Sequence, residues 1–141
     1  MTGTECSVKT GSCLCGAITY EVHGPLRPVI ACHCKQCRKT SGFHVAATSA
    51  RREDLQISGV PVWFKSSESA KRVFCGICGS NLFWNGGGEN LSIFAGTLDG
   101  DTGLKIAGHI YCRDKGDFYE IPADVPQAEG WDPKLTTHVP K

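Results

Sequence analysis

No part of the 141-residue sequence contains an apolar run close to the roughly 18 residues that a transmembrane helix needs. The segment from Met1 to Ser12 also holds no apolar stretch of the kind found in secretory signal peptides. We therefore expect neither a membrane anchor nor an export signal. The predicted location is the cytoplasm, where reducing conditions leave closely spaced cysteines free to bind metal.

The sequence also shows no excess of either charge. It contains 15 Lys and Arg residues against 14 Asp and Glu, and its formal net charge is +1. Proteins that bind nucleic acid usually carry a basic patch or stripe, and no basic run is present here. Nucleic acid and anionic membrane surfaces are therefore not expected partners.

Long helices are not expected either. Seventeen glycines indicate many turns, and no segment keeps helical periodicity for three turns. One helical turn is predicted at Lys35–Ser41 and a second at Arg51–Leu55. Short β-like runs separated by Gly and Pro instead predict an all-β, sandwich- or barrel-like fold of short antiparallel strands. The predicted strands are Ala17–Val22, Pro28–Ala31, Phe43–Thr48, Leu55–Ile57, Val62–Lys65, Arg72–Phe74, Asn81–Trp84, Leu91–Ala95 and Lys105–Tyr111.

The predicted organisation is a single domain. It spans residues 11–125, after a mobile amino-terminal segment at 1–10. A carboxy-terminal tail at 126–141 packs on the domain or extends from it. The glycines at 86–88 are predicted to form a hairpin tip.

Cysteine, by contrast, is abundant. Seven of the nine cysteines fall into three tight clusters, and Cys6 and Cys112 lie outside them. The clusters are Cys13-x-Cys15, Cys32-x-Cys34-x-x-Cys37 and Cys75-x-x-Cys78. A Cys-x-Cys pair in an extended segment presents both thiols on one face, and a Cys-x-x-Cys pair does so through a tight turn. An odd total argues against a complete disulfide framework, so we interpret the clusters as zinc ligands.

Seven thiolates are enough for one four-sulfur zinc site and one three-sulfur site. Zinc with four protein ligands is structural, whereas zinc with three can accept water or substrate at the fourth position. Spacing alone permits Cys13 and Cys15 to share a metal with Cys75 and Cys78, or with part of the central cluster. The first arrangement leaves no thiolate redundant, and we favour it. We therefore predict two Zn²⁺ ions per chain.

His33 is the alternative fourth ligand at the central cluster. It lies between two converging cysteines, Cys32 and Cys34, so its ring points the opposite way if the chain is extended. An open fourth position is therefore preferred. Zinc at such a position acts as a Lewis acid or keeps a substrate thiol ionised at neutral pH.

These motifs, in this order, resemble the glutathione-dependent formaldehyde-activating enzyme family, which includes centromere protein V. The matching segments are residues 13–20, 32–42, 72–82, 95–99 and 109–111. The resemblance implies a β-tent fold with a structural zinc and a catalytic zinc. The implied structural ligands are Cys13, Cys15, Cys75 and Cys78, and the implied catalytic ligands are Cys32, Cys34 and Cys37. The implied activity is that of a carbon–sulfur lyase, which makes or breaks S-(hydroxymethyl)glutathione from glutathione and formaldehyde.

Other residues near the central cluster are candidates for substrate contact. Arg38 could receive a carboxylate of a peptide-like thiol, because a guanidinium suits bidentate contact. His44 is the first choice for a proton carrier. Ser80 could bond to sulfur, although turn packing is the commoner role. A competing interpretation makes the chain a non-catalytic zinc module for protein interaction, with a second metal that is only structural.

Overall fold

The computed structural model describes residues 8–137 and 139. This part of the chain forms ten strands, two short helices and three 3₁₀ turns. The strands are β1 (Lys9–Ser12), β2 (Thr19–Val22), β3 (Val29–Cys32), β4 (Val45–Arg51), β5 (Leu55–Ser58), β6 (Val62–Lys65), β7 (Lys71–Phe74), β8 (Asn81–Asn85), β9 (Asn90–Phe94) and β10 (Ile106–Ile110). The helices are α1 (Lys35–Ser41) and α2 (Pro133–Thr136), and the 3₁₀ turns are Arg52–Asp54, Ala95–Thr97 and Cys112–Asp114. With seven and four residues, the helices are too short to cross a bilayer.

The all-β fold with little helix is confirmed. Each of the nine predicted strands has a counterpart, and α1 has the predicted bounds. The turn predicted at Arg51–Leu55 is the 3₁₀ turn at Arg52–Asp54. Strand β1 was not predicted, and it includes Lys9 and Thr10 of the segment expected to be mobile. Residues 1–7, Cys6 among them, lie outside the described residues.

The strands form two sheets. A three-stranded sheet has the order β1-β2-β5, and a seven-stranded sheet has the order β10-β3-β4-β9-β8-β7-β6. The pairs are antiparallel, as predicted, except that β10 runs parallel to β3. A parallel pair needs a long crossover, and here most of the domain lies between the two strands. The tail covers the other edge of β10, where the backbone of His109 bonds to Pro126 and Ala128.

The main hydrophobic core lies between the two sheets. Burial alternates along β2, where Tyr20 and Val22 are buried and their neighbours are exposed. The ring of Tyr20 meets the ring of Phe83 edge-on, with centroids 5.1 Å apart. Each such side chain stabilises the fold by roughly 1.5–3 kcal/mol through burial. This packing holds the ends of β1 and β7 together, and two cysteine clusters follow those ends.

Candidate metal centres and the adjoining cavity

The first candidate metal centre is a four-cysteine group that joins the two sheets. Cys13 follows β1 of the small sheet, and Cys75 follows β7 of the large one. With Cys15 and Cys78, their four Sγ atoms lie within 4.8 Å of one another. The Cys15 sulfur is 3.7 Å from that of Cys13 and 3.7 Å from that of Cys75. Tetrahedral zinc with Zn–S bonds of about 2.3 Å separates its sulfurs by about 3.8 Å, so this donor set fits the ion. Of the two pairings that the spacing permitted, the structure contains this one.

Tight turns bring each pair of thiols together. Cys13 and Cys15 lie in a turn in which the Gly16 amide donates to the Cys13 carbonyl at 3.3 Å, so the pair is not in an extended segment. The Cys75 turn closes in the same way, because the Gly79 amide donates to the Cys75 carbonyl at 2.8 Å. Both glycines have a φ of 81°, in the left-handed region that a side chain disfavours.

Polar hydrogens surround the sulfurs of this group. The Ile18 amide donates to the Cys13 sulfur at 3.3 Å, and the Ile77 amide donates to the Cys75 sulfur at 3.4 Å. The Ser80 hydroxyl lies 3.2 Å from the Cys78 sulfur, and this hydrogen bond lowers the pKa of Cys78 to about 5. Ser80 therefore bonds to sulfur, although turn packing is the commoner role for such a serine.

The second candidate metal centre consists of three cysteines at the start of α1. Cys32 ends β3, Cys34 is the residue before the helix, and Cys37 lies in the first helical turn. Their Sγ atoms lie within 4.8 Å of one another. Within residues 8–137 and 139, no other Cys, His, Asp or Glu atom joins this group. Hydrogen bonds from the thiols of Cys32 and Cys37 lower the pKa of Cys34, so one sulfur of the group ionises most readily.

His33 does not join the three sulfurs. Its ring points away from them, as the alternation of an extended chain predicted. Nδ1 of His33 is 2.6 Å from the Tyr119 hydroxyl, and Nε2 is 3.0 Å from Nδ1 of His109. Burial lowers the pKa of His33 to about 4, so the imidazole is neutral at pH 7. Neutral rings can form this hydrogen-bonded row without charge repulsion.

Arg72 touches the three-cysteine group, and the sequence interpretation did not single it out. Its guanidinium Nη2 lies 3.5 Å from the Cys37 sulfur and 3.5 Å from Oε1 of Gln36. The residue is only 6% exposed. Strand alternation could have revealed it: Val73 faces the core, so Arg72 must face the opposite side of β7, where α1 lies. A buried cation is thereby placed against a cluster of ionisable sulfurs.

The two predicted substrate contacts both lie near this group. Arg38 belongs to α1 and is partly buried, and its Nε has no hydrogen-bond partner in the described structure. His44 lies just before β4, with its ring centroid 4.8 Å from that of His33. Its Nδ1 is also buried without a partner among the described atoms. Arg38 is next in sequence to Cys37, and the His44 ring is close to that of His33, the residue between Cys32 and Cys34. Both residues therefore lie near the three-cysteine group.

A cavity of about 280 Å³ lies against His33, the residue between Cys32 and Cys34. The imidazoles of His33 and His109 line it, together with the rings of Phe43, His44 and Tyr119. Ile106 and the chain from 119 to 125 supply the remaining wall. No sequence motif marked residues 119–125, because they form a coil segment without recognisable periodicity.

The model of the glutathione-dependent formaldehyde-activating enzyme family matches residues 8–114. The chain belongs to this family. A curated relative from Schizosaccharomyces pombe, named uncharacterized lyase C29B12.13, is 27% identical over 114 residues, which are 79% of this chain and 83% of the relative. The family and this relative support lyase-type chemistry in general terms.

A solved structure shows the same fold. The crystal structure of a Rhodobacter sphaeroides protein superposes with a TM-score of 0.58 at 24% identity, covering 84% of this chain and 98% of that one. Both cysteine groups lie within the segment that matches the family. The cavity wall at 119–125 lies beyond it.

Proposed function

We propose that this family member is a zinc-dependent carbon–sulfur lyase that makes or breaks a thiol–aldehyde adduct, such as S-(hydroxymethyl)glutathione. The observation that carries the proposal is the convergence of three sulfurs, from Cys32, Cys34 and Cys37, without a fourth protein ligand in the described structure. Three protein ligands are typical of catalytic zinc. Family membership supports the reaction class.

In the synthetic direction, the sulfur of a thiol bonds to the aldehyde carbon. The carbonyl oxygen gains the proton that the thiol loses, so the reaction consumes no oxidant or reductant. Zinc bound by the three cysteines would supply Lewis acidity and favour the thiolate over the thiol. The reverse reaction releases thiol and aldehyde.

The chain's own side chains have separate roles in this proposal. Arg72 places positive charge beside Cys37 and thereby stabilises the anionic sulfur cluster. Arg38 binds a carboxylate of a peptide-like thiol, and its unpartnered Nε is consistent with that role. His44 carries the proton between thiol and oxygen.

The cysteines at 13, 15, 75 and 78 would hold a structural zinc that fastens β1 to β7. Structural zinc supplies roughly 10–16 kcal/mol of apparent binding free energy. A cytoplasmic location stays a prediction.

Exchange spectroscopy tests the proposed activity directly. The zinc-loaded protein is added to ¹³C-formaldehyde and glutathione at equilibrium, and the rate of exchange between free aldehyde and adduct is measured by NMR. We expect the rate to rise in proportion to protein concentration. Cys34→Ser should abolish the increase, and Cys112→Ser should retain it because Cys112 belongs to neither group. A folded protein with both zinc ions bound and no rate increase would contradict the lyase and favour the non-catalytic zinc module.

A further inference from the structure

The cavity beside the three-cysteine group has an aromatic wall. The rings of Phe43 and Tyr119 meet edge-on, with centroids 4.7 Å apart and planes at 76°. Phe118 packs against Tyr119 at 5.1 Å, so the three rings form one cluster. Ile121 and Val125 add aliphatic surface to the lining. Such a lining favours an apolar ligand that can join the ring cluster.

The size of the cavity suits a single ring with a short substituent. Its volume is about 280 Å³. An apolar cavity of about 150 Å³ is enough for benzene, and pockets for drug-sized ligands begin near 300 Å³. The remaining volume would hold the one or two atoms that connect the ring to a reacting sulfur or carbonyl.

The polar groups of the cavity do not favour an anionic ligand. His33 and His109 bond to each other, and the Tyr119 hydroxyl bonds to His33, so these three side chains satisfy one another, whereas Nδ1 of His44 has no partner in the described structure. Glu120 and Asp124 are exposed and line the cavity. Lys115 lies 5.3 Å from the Tyr119 ring centroid, but its ammonium already donates to the carbonyls of Gly116 and Tyr119. The two carboxylates of glutathione would meet like charges here.

The cavity adjoins the end of β3, where the chain enters the three-cysteine group. His33, on its floor, is the covalent neighbour of both Cys32 and Cys34. Part of its lining comes from residues 119–125, outside the segment that the family model matches. The reaction site is thus shared with the family, whereas this part of the wall is additional to the matched segment.

We propose that this cavity is the subsite for an uncharged aromatic group carried by the substrate of the thiol–aldehyde reaction, on either the thiol or the aldehyde. The inference rests on the proposed lyase function and specifies its substrate class. In the reaction, the thiol sulfur bonds to the aldehyde carbon, the C=O double bond becomes a single bond, and the thiol proton ends on the oxygen. The aromatic group takes no part in bond making and fixes the orientation of the reactant that carries it.

Binding is tested with benzyl alcohol, which carries the ring but neither a thiol nor an aldehyde. The methyl signals of Ile106 and Ile121, both lining residues, are followed by NMR in the zinc-loaded protein. Phe43→Ala should weaken the apparent Kd at least tenfold by removing an aromatic wall. Val125→Trp should weaken it similarly by filling the cavity, and it provides a second test if Phe43→Ala does not fold. Phe64→Ala is the matched control, because Phe64 is an exposed ring on β6 that does not line the cavity.

Turnover identifies the reactant that carries the ring. Exchange rates are compared for benzyl mercaptan with formaldehyde, for glutathione with benzaldehyde, and for glutathione with formaldehyde. We expect kcat/KM for one of the two aromatic pairs to be at least tenfold higher than kcat/KM for glutathione with formaldehyde. Phe43→Ala should reduce this advantage of the aromatic pair tenfold.

The outcomes separate the two proposals. Binding of benzyl alcohol that depends on Phe43 and Val125, without turnover of any pair, would support the cavity assignment and contradict the lyase. Turnover of glutathione and formaldehyde without such binding would support the lyase and overturn the cavity assignment. An unchanged Kd in both variants would also overturn it.

Discussion

The guanidinium Nη2 of Arg72 lies 3.5 Å from the sulfur of Cys37. Arg72 belongs to β7, and Cys75 of the four-cysteine group follows the end of the same strand. This strand therefore places a cation beside one cysteine group and leads directly into the other. Because Arg72 is almost fully buried, water screens this contact little, and its charge should influence how the three-cysteine group holds metal.

Arg72→Met should weaken metal binding at the three-cysteine group while leaving the four-cysteine group loaded. The substitution keeps most of the side-chain length but removes the charge. Hydrogen bonds to charged groups contribute about 1.5–3 kcal/mol, so retention of the metal should fall by roughly ten- to a hundredfold. Competition with a graded series of chelators measures this. Arg113→Met is the control, because Arg113 is exposed and distant in sequence from both groups. Equal metal retention in Arg72→Met and wild type would show that Arg72 does not affect metal binding at the three-cysteine group.

The metal-binding half of the site was accessible from sequence because its signal is local. Cysteine spacing of two or three residues converges in any tight turn, and Gly16 and Gly79 supply the left-handed backbone that those turns need. The prediction that Cys13 and Cys15 share a group with Cys75 and Cys78 came from ligand counting, and the structure brings these four together. The strands were predictable from period-two alternation and from Gly and Pro boundaries.

Most of the features that the sequence did not reveal depend on long-range pairing. Strand β10 aligns with β3 in parallel, and this brings His109 beside His33 across 76 residues. Tyr119 reaches His33 from a coil segment with no periodicity. Strand β1 consists of three polar residues and a glycine, so it carries no hydrophobic pattern and was missed.

Substitutions in the two cysteine groups should have different consequences. Cys75→Ser leaves a four-ligand group incomplete where it joins the two sheets, so the free energy of unfolding should fall severely. Cys34→Ser affects a group at the start of a seven-residue helix, so the fold should persist while thiol–aldehyde exchange is lost. Cys112→Ser, outside both groups, should change neither property. Thermal melts and exchange rates of the three variants test this division. Equal melting of Cys75→Ser and Cys34→Ser would contradict it.

Metal removal should occur in two stages. With four thiolates, the first group should retain zinc after the three-thiolate group has lost it. Mild chelation should therefore remove about one equivalent with little change in circular dichroism, and stronger chelation should remove the second with unfolding. Metal analysis and circular dichroism on the same samples make the comparison. A single cooperative loss of both ions would show that the groups are not separable in this way.

The buried phenol of Tyr20 should make the protein sensitive to alkali. Burial raises the pKa of Tyr20 to about 12, above the value of about 10 in an unfolded chain. Between these values the folded state holds a proton that the unfolded state has lost, so stability decreases as pH rises from 10 to 12. Tyr20→Phe should reduce the free energy of unfolding by about 1 kcal/mol at pH 8, because it removes the 2.6 Å hydrogen bond to Thr97.

Above pH 10, Tyr20→Phe should lose stability less steeply than wild type, since no phenol remains to ionise. Thr97→Val is the matched variant. It removes the same hydrogen bond but keeps the phenol. Its free energy of unfolding should therefore be lower than that of wild type at pH 8, and it should fall with rising pH at least as steeply as in wild type. Urea unfolding at intervals from pH 8 to pH 12 gives the three curves. Parallel curves for Tyr20→Phe and wild type would show that the two states bind the Tyr20 proton alike, in which case burial between the sheets does not perturb it.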